Sequence, residues 1–177
     1  VQRVKECFHL SVASHLTCVG STSGQLCDYL RHAQERGVDN IVAIRGDPPR
    51  GQREFRSVDG GLRHANELVE LIRREFPQFG IAVAGYPETH QEAPNAEVDL
   101  ENLRRKVGAG ADIVITQLFF NNDDYFSFRE RCQRKGLRVP LVPGLLPATS
   151  LAQVQRLTSM CGSRLPTEFV RRMAESD

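Results

Sequence analysis

Arg45, Gly46 and Asp47 stand in one unbroken run behind the apolar residues 41–44, and Pro48 and Pro49 close the segment IVAIRGDPP. A continuous apolar run of this kind reads as a strand buried on both faces, the parallel-sheet pattern. Proline has no N–H for a ladder, so the strand must stop there. A guanidinium and a carboxylate are therefore displayed at the carboxyl end of a buried parallel strand, the edge where α/β folds bind ligands. They could take a phosphate or a ring nitrogen, with Gly46 letting a ligand approach the backbone. An ion pair satisfied at the strand end is the plainer alternative, and spacing leaves both open. An adhesion-type Arg-Gly-Asp needs an exposed, mobile loop, which a buried strand does not offer.

Other polar residues fall at similar places. His15 lies within SHLTC, where a strand histidine is more often a packed core residue than a ligand. Tyr86 and His90 flank Pro87 after the apolar IAVAG, where an ordinary proline turn is the alternative. Asp99, Asn102 and Lys106 share one face of a helix, with Arg105 beside them. An acid early and bases late also suit the helix dipole on a solvated face, and that is the simpler reading. Gln117 follows an apolar strand, and its amide could read a heterocycle by paired donor and acceptor bonds. Phe119 and Phe120 after it are more often core than stacking partners. The sequence contains no metal-ligand spacing, nucleophile elbow or P-loop.

The elements that must position these groups alternate. Strands are predicted over 14–19, 40–44, 81–85, 112–120 and 140–146. Residues 1–8 read as the end of a helix. Further helices are predicted from a cap among Ser21, Thr22 and Ser23 to Gly37, then over 62–76, 96–109, 125–135 and 150–160, and from Pro166 onward. Residues 50–60 read as a long polar loop. This βα alternation leaves a (β/α)8 TIM barrel or a doubly wound sheet. Units of roughly 30 residues, and polar groups at the ends of several strands, favour the barrel. A doubly wound sheet gathers its site at one switch point, usually with G-x-G-x-x-G, which is absent. A closed barrel needs eight strands and five are predicted, so the chain is expected to be an incomplete barrel of about five βα units, one partial catalytic domain over 1–177.

Composition narrows the class. The 177 residues carry 23 Lys and Arg against 22 Asp and Glu, a net charge of +1, so no long-range field points to nucleic acid or a membrane. Trp is absent, which argues against a base-stacking platform. No apolar run reaches transmembrane length and no signal-peptide core begins the chain. Five cysteines without a C-x-x-C fit a reduced, cytoplasmic protein without disulfides or zinc.

Taken together and in order, HLTC (15–18), AIRGDPP (43–49), AGYPETH (84–90), DLENLRRKVGAGAD (99–112), ITQLFF (115–120) and PGLLP (143–147) resemble the 5,10-methylenetetrahydrofolate reductase family. The resemblance runs from about His15 to Pro166. It implies a (β/α)8 barrel holding FAD at its mouth, with NADH or NADPH as hydride donor. It further implies reduction of methylenetetrahydrofolate to 5-methyltetrahydrofolate, within one-carbon and methionine metabolism. By motif match it places His15, Arg45, Asp47, Ala65, Tyr86, His90, Asp99, Asn102, Arg105 and Lys106 on FAD. His64 joins them where many members carry tyrosine. Asp47 would lie nearest the chemistry, tuning the ring system and favouring a cationic iminium form of the folate. Gln117 would bind the pterin, and Gln153 is a further folate candidate. No metal is implied; a folate substrate and a homo-oligomer of the full-length protein are.

Two family features have no counterpart among the 177 residues: the general-acid glutamate of an F-E-F-type first strand, and a later arginine that helps hold the folate's tail. The chain alone is accordingly expected to be inactive or nearly so. The alternatives are a non-catalytic FAD- or folate-binding fragment, a subunit of a split barrel, and, less well matched to the ordered motifs, another phosphate-binding barrel enzyme.

Overall fold

The structure, a computed structural model, describes residues 2–48 and 55–176. Pro49 and residues 50–54 of the predicted loop lie outside the described residues. The elements in order are α1 (Gln2–Phe8), β1 (Ala13–Thr17), α2 (Ser23–Glu35), β2 (Asn40–Ile44), α3 (Ala65–Glu75), β3 (Gly80–Gly85), α4 (Ala96–Gly108), β4 (Ile113–Thr116), α5 (Asn122–Arg134), β5 (Leu141–Val142), α6 (Leu151–Cys161) and α7 (Thr167–Ser176). Among the described residues there are five βα units, consistent with an incomplete (β/α)8 barrel. The chain forms two compact units, Val1–Ala84 with Arg105–Ile113, and Gly85–Arg104 with Val114–Asp177.

In the first unit β1, β2 and β3 run parallel in chain order, with Ala13 opposite Asn40 and Asn40 opposite Gly80. Ile41, Ala43, Ile81 and Val83 are fully buried, which is why these strands read as apolar runs rather than alternations. α2 contributes Leu26, Leu30 and Ala33 to the same core, and α3 contributes Leu68, Val69, Leu71 and Ile72. Each fully buried leucine or isoleucine stabilises by about 1.5–3 kcal/mol. Aspartates lock the strand entrances. Asp39 accepts from the Val12 N–H and from Lys5 Nζ, both at 2.7 Å. Asp112 accepts from the Ile81 N–H at 2.7 Å and from Arg73 at 2.8 Å. The Lys5 ammonium holds the Asp39 carboxyl below its ordinary range.

Thr22 caps α2 in a reciprocal capping box with Gln25. α3 begins at Ala65 rather than at 62. Gly61 bridges to Thr22 in antiparallel fashion and His64 is extended, so the chain before Ala65 is held out of the helix.

In the second unit β4 and β5 are parallel, Val114 opposite Leu141. β4 ends at Thr116, four residues before the predicted end at 120. Phe119 instead stacks on Tyr125 with ring centres 5.3 Å apart, and Phe120 packs on Phe169 at 5.1 Å. β5 is only two residues long, because Pro140 and Pro143 flank it. Gly144 donates its N–H to Thr116 Oγ1 at 3.0 Å, and a Cβ there would run into the Thr116 carbonyl oxygen. Asn121 caps α5, which begins at Asn122, three residues before the predicted start, and Ser150 caps α6 as predicted. The Asn95 side chain accepts the Glu97 and Val98 N–H groups at the start of α4. Among the described residues, no helix is long and apolar enough to cross a membrane.

Candidate functional site

In the first unit the Arg45–Gly46–Asp47 segment leaves β2 with its backbone pinned. The Arg45 carbonyl accepts from the Val19 N–H at 2.9 Å and from the Cys18 thiol at 3.4 Å. Cys18 is buried, and burial pushes its thiol pKa up, so it stays a neutral donor. Gly46 has φ +87°, and a Cβ there would lie 2.6 Å from Val19 Cγ1 and 3.0 Å from Thr17 Cβ. The lack of a side chain is thus required by the chain's own packing against Thr17 of β1 and Val19 just beyond it. The Arg45 guanidinium lies over the Phe55 ring at 5.0 Å and donates to the Gly46 carbonyl. Asp47 is exposed.

His15, opposite Val42 in the β1–β2 register, is also exposed and is not a core residue. His64 precedes α3 without a side-chain capping bond, and Ala65 opens that helix. Late on α4, Arg105 is exposed, while Lys106 Nζ donates to the Ala84 carbonyl at 2.5 Å. Lys106 therefore ties its helix to the end of β3.

In the second unit the turn after β3 brings three of the candidates together. The Tyr86 and His90 rings meet edge to face at 4.6 Å. The His90 N–H donates to Asp99 Oδ2 at 3.1 Å, so Asp99 faces the turn rather than a solvated helix surface. The Glu92 N–H donates to His90 Nδ1, which leaves Nε2 as the donor of the neutral ring. Asn102, one helical turn beyond Asp99, is exposed. The Gln117 N–H donates to the Gly85 carbonyl at 2.7 Å, and its side-chain oxygen accepts the Leu118 N–H at 2.8 Å. Gln153 sits in the first turn of α6, where its side-chain oxygen accepts from Thr149 Oγ1.

The same turn holds residues that sequence reasoning did not single out. Thr89 has φ +83°. Glu88 is almost wholly buried and accepts from Arg164, 76 residues away, and Arg131 donates to the Pro87 carbonyl at 2.8 Å. Nothing in the local sequence marks these contacts, which depend on tertiary placement.

The sequence profile of the family described as Methylenetetrahydrofolate reductase matches residues 1–177. The 5,10-methylenetetrahydrofolate reductase of Escherichia coli K12 is 39% identical over 166 residues, which cover 94% of this chain and 54% of that protein. Methylenetetrahydrofolate reductase (NADH) 1 of Zea mays is 39% identical over 165 residues, 88% of this chain and 28% of that protein. The chain thus spans about half of its bacterial relative and about a quarter of its plant one. Among solved structures, an uncharacterised Clostridium thermocellum protein that binds two copies of 5-methyl-5,6,7,8-tetrahydrofolic acid superposes with a TM-score of 0.63 at 15% identity, over 99% of this chain and 59% of that one. Oxaloacetate acetylhydrolase superposes with a TM-score of 0.51 at 13% identity, over 88% and 60%. At such identities the structural likeness carries the barrel fold alone.

Proposed function

The chain belongs to the methylenetetrahydrofolate reductase family, and on that premise we propose that it forms the FAD- and folate-binding part of a reductase that converts 5,10-methylenetetrahydrofolate to 5-methyltetrahydrofolate. The observation that carries this reading is the placement of Arg45 and Asp47 after β2, Tyr86 and His90 after β3, and Gln117 after β4, each at a strand's carboxyl end. FAD, when bound, supplies the hydride exchange between a reduced nicotinamide, NADH or NADPH, and the folate.

The residues present suit that cofactor chemically. Arg45, Arg105 and Lys106 are cations fit for a pyrophosphate. His90, with Nδ1 engaged, offers an Nε2–H donor, and Tyr86 packs against its ring. Asp99, Asn102, His15, His64 and Ala65 complete the proposed cofactor set. Asp47 is the catalytic group. With FAD bound, its carboxylate would tune the flavin and favour the cationic iminium form of the folate. The Gln117 amide reads the pterin, which requires it to give up or share its bond to the Leu118 N–H. Gln153 contacts the same ligand.

The activity belongs to one-carbon and methionine metabolism, in the cytoplasm, with the whole protein a homo-oligomer. On this reading the 177 residues alone should be inactive or nearly so. A second reading is a non-catalytic FAD- or folate-binding fragment or one subunit of a split barrel.

The test is a chimera in which this chain replaces the matching segment of the E. coli relative. The chimera should reduce methylenetetrahydrofolate, and Asp47→Asn should retain FAD while slowing the folate half-reaction about 100-fold, on the scale of a lost transition-state charge contact. A flavin-loaded chimera without folate reduction favours the second reading. Equal rates for Asp47→Asn and its parent remove Asp47 from the mechanism.

A further inference from the structure

Thr89 is the one non-glycine residue at positive φ within the second unit, at +83°, among the described residues. A β-branched side chain there is a true outlier. Such a conformation is strained and persists only where the surroundings over-determine it. Thr89 sits inside the turn that carries Tyr86 and His90, so what holds Thr89 also sets those two rings.

Three contacts restrain the turn from outside. Arg131 donates to the Pro87 carbonyl, and Asp99 accepts the His90 N–H. The third is a clasp on Glu88, the residue before Thr89. Arg164 donates its backbone N–H to both Glu88 carboxylate oxygens, at 3.2 and 3.0 Å, and its Nε to Oε2 at 2.8 Å. Its remaining fork reaches Asp124 Oδ1 at 2.9 Å, at the start of α5. The preceding residue is fixed as well, since Ser163 Oγ donates to the Leu118 carbonyl at 2.6 Å.

An exposed ion pair contributes little, and the Arg164 side chain is 74% exposed. The acids are not exposed: the Glu88 side chain is 9% accessible and that of Asp124 is 20%. Two largely desolvated carboxylates, from different elements, thus share one guanidinium. Removing it leaves Glu88 buried without its counter-charge, and the cheapest relief is for the turn to swing Glu88 into water. That swing would also release the strain at Thr89.

We propose that Arg164 is a positioning residue for the cofactor site: by clasping Glu88 it holds the strained Tyr86–His90 turn in the conformation that presents Tyr86 and His90. Its role rests on the FAD reading given above. The clasp acts before any ligand arrives, so its loss appears as weaker binding.

The experiment is fluorescence-quench titration of FAD into the purified chain and three variants: Arg164→Met, Thr89→Gly and the double variant. Arg164→Met should weaken FAD binding about tenfold with the far-UV circular dichroism unchanged. Thr89→Gly alone should change affinity less than threefold. In the Arg164→Met background it should restore most of the lost affinity, because glycine occupies positive φ without strain. A merely structural role for Arg164 would not be rescued by relieving strain at Thr89. If Arg164→Met does not fold, Arg164→Lys replaces it, with a loss of about threefold and the same rescue. Unchanged affinity in the Arg164 variant refutes the clasp, and failure of Thr89→Gly to rescue refutes positioning through strain. A parent chain that binds no FAD refutes the reading of the site, and the clasp with it.

Discussion

Gly46→Ala should be among the most damaging single-methyl insertions in the first unit. Two separate costs act there. An L-residue held at φ +87° pays about 1–2 kcal/mol of backbone strain. The new Cβ would also sit 2.6 Å from Val19 Cγ1, closer than carbon atoms approach, and a tight 3.0 Å from Thr17 Cβ. Val19 and Thr17 are short β-branched side chains on pinned backbone, unable to swing aside as a long side chain would. Overpacking of this kind costs about 1–3 kcal/mol. The total is about 2–5 kcal/mol, a large share of the stability of an ordinary domain. Gly60 supplies the control: its φ is +70°, and a Cβ there meets nothing within 4 Å. Gly60→Ala should therefore show the backbone cost alone, about 1–2 kcal/mol. Urea unfolding of parent, Gly46→Ala and Gly60→Ala, followed by circular dichroism, separates the two contributions. A Gly46→Ala loss no greater than that of Gly60→Ala would refute the claim that β1 and its extension fill the space beside Gly46.

Gly144→Ala should destabilise the second unit by about 2 kcal/mol or more, since its Cβ would collide with the Thr116 carbonyl; a melting temperature within a degree of the parent's would contradict this. Thr22→Ala removes one half of the capping box and should cost about 0.5–2 kcal/mol in urea unfolding, with Thr22→Ser retaining most of the stability. Burial pushes the Cys132 thiol up to about 11, above the usual 9, so the folded state resists its ionisation. That contribution is fully present below about pH 9 and is lost as pH rises through about 11. Parent and Cys132→Ala should therefore converge in stability over that interval by on the order of 2 kcal/mol, and a pH-independent difference would contradict the assignment.

The central strand and its Arg45–Gly46–Asp47 terminus were legible because burial on both faces writes a continuous apolar run and proline marks its end. Caps at Thr22 and Ser150 were legible because hydroxyl-to-backbone bonds are local. The length of β4 was not, since Phe119 and Phe120 extend the apolar run in sequence while packing against Tyr125 and Phe169 in space. The role of Gly46 was hidden for a related reason: a glycine beside two polar residues invites a ligand, but the atoms that crowd it belong to Val19 and Thr17, far back in the chain. Asp99 looked like part of a solvated face, and only the folded turn shows it accepting from His90. Glu88 and Arg164 are 76 positions apart, beyond any periodicity or spacing argument.

Titrating FAD into the purified chain and its Arg45→Met variant, while following flavin fluorescence, tests the proposed role of Arg45 in holding the flavin. The parent should bind saturably, and Arg45→Met should bind about tenfold more weakly, the scale of one lost charge-assisted contact. Absence of saturable binding, or equal affinity in the two proteins, would contradict that role.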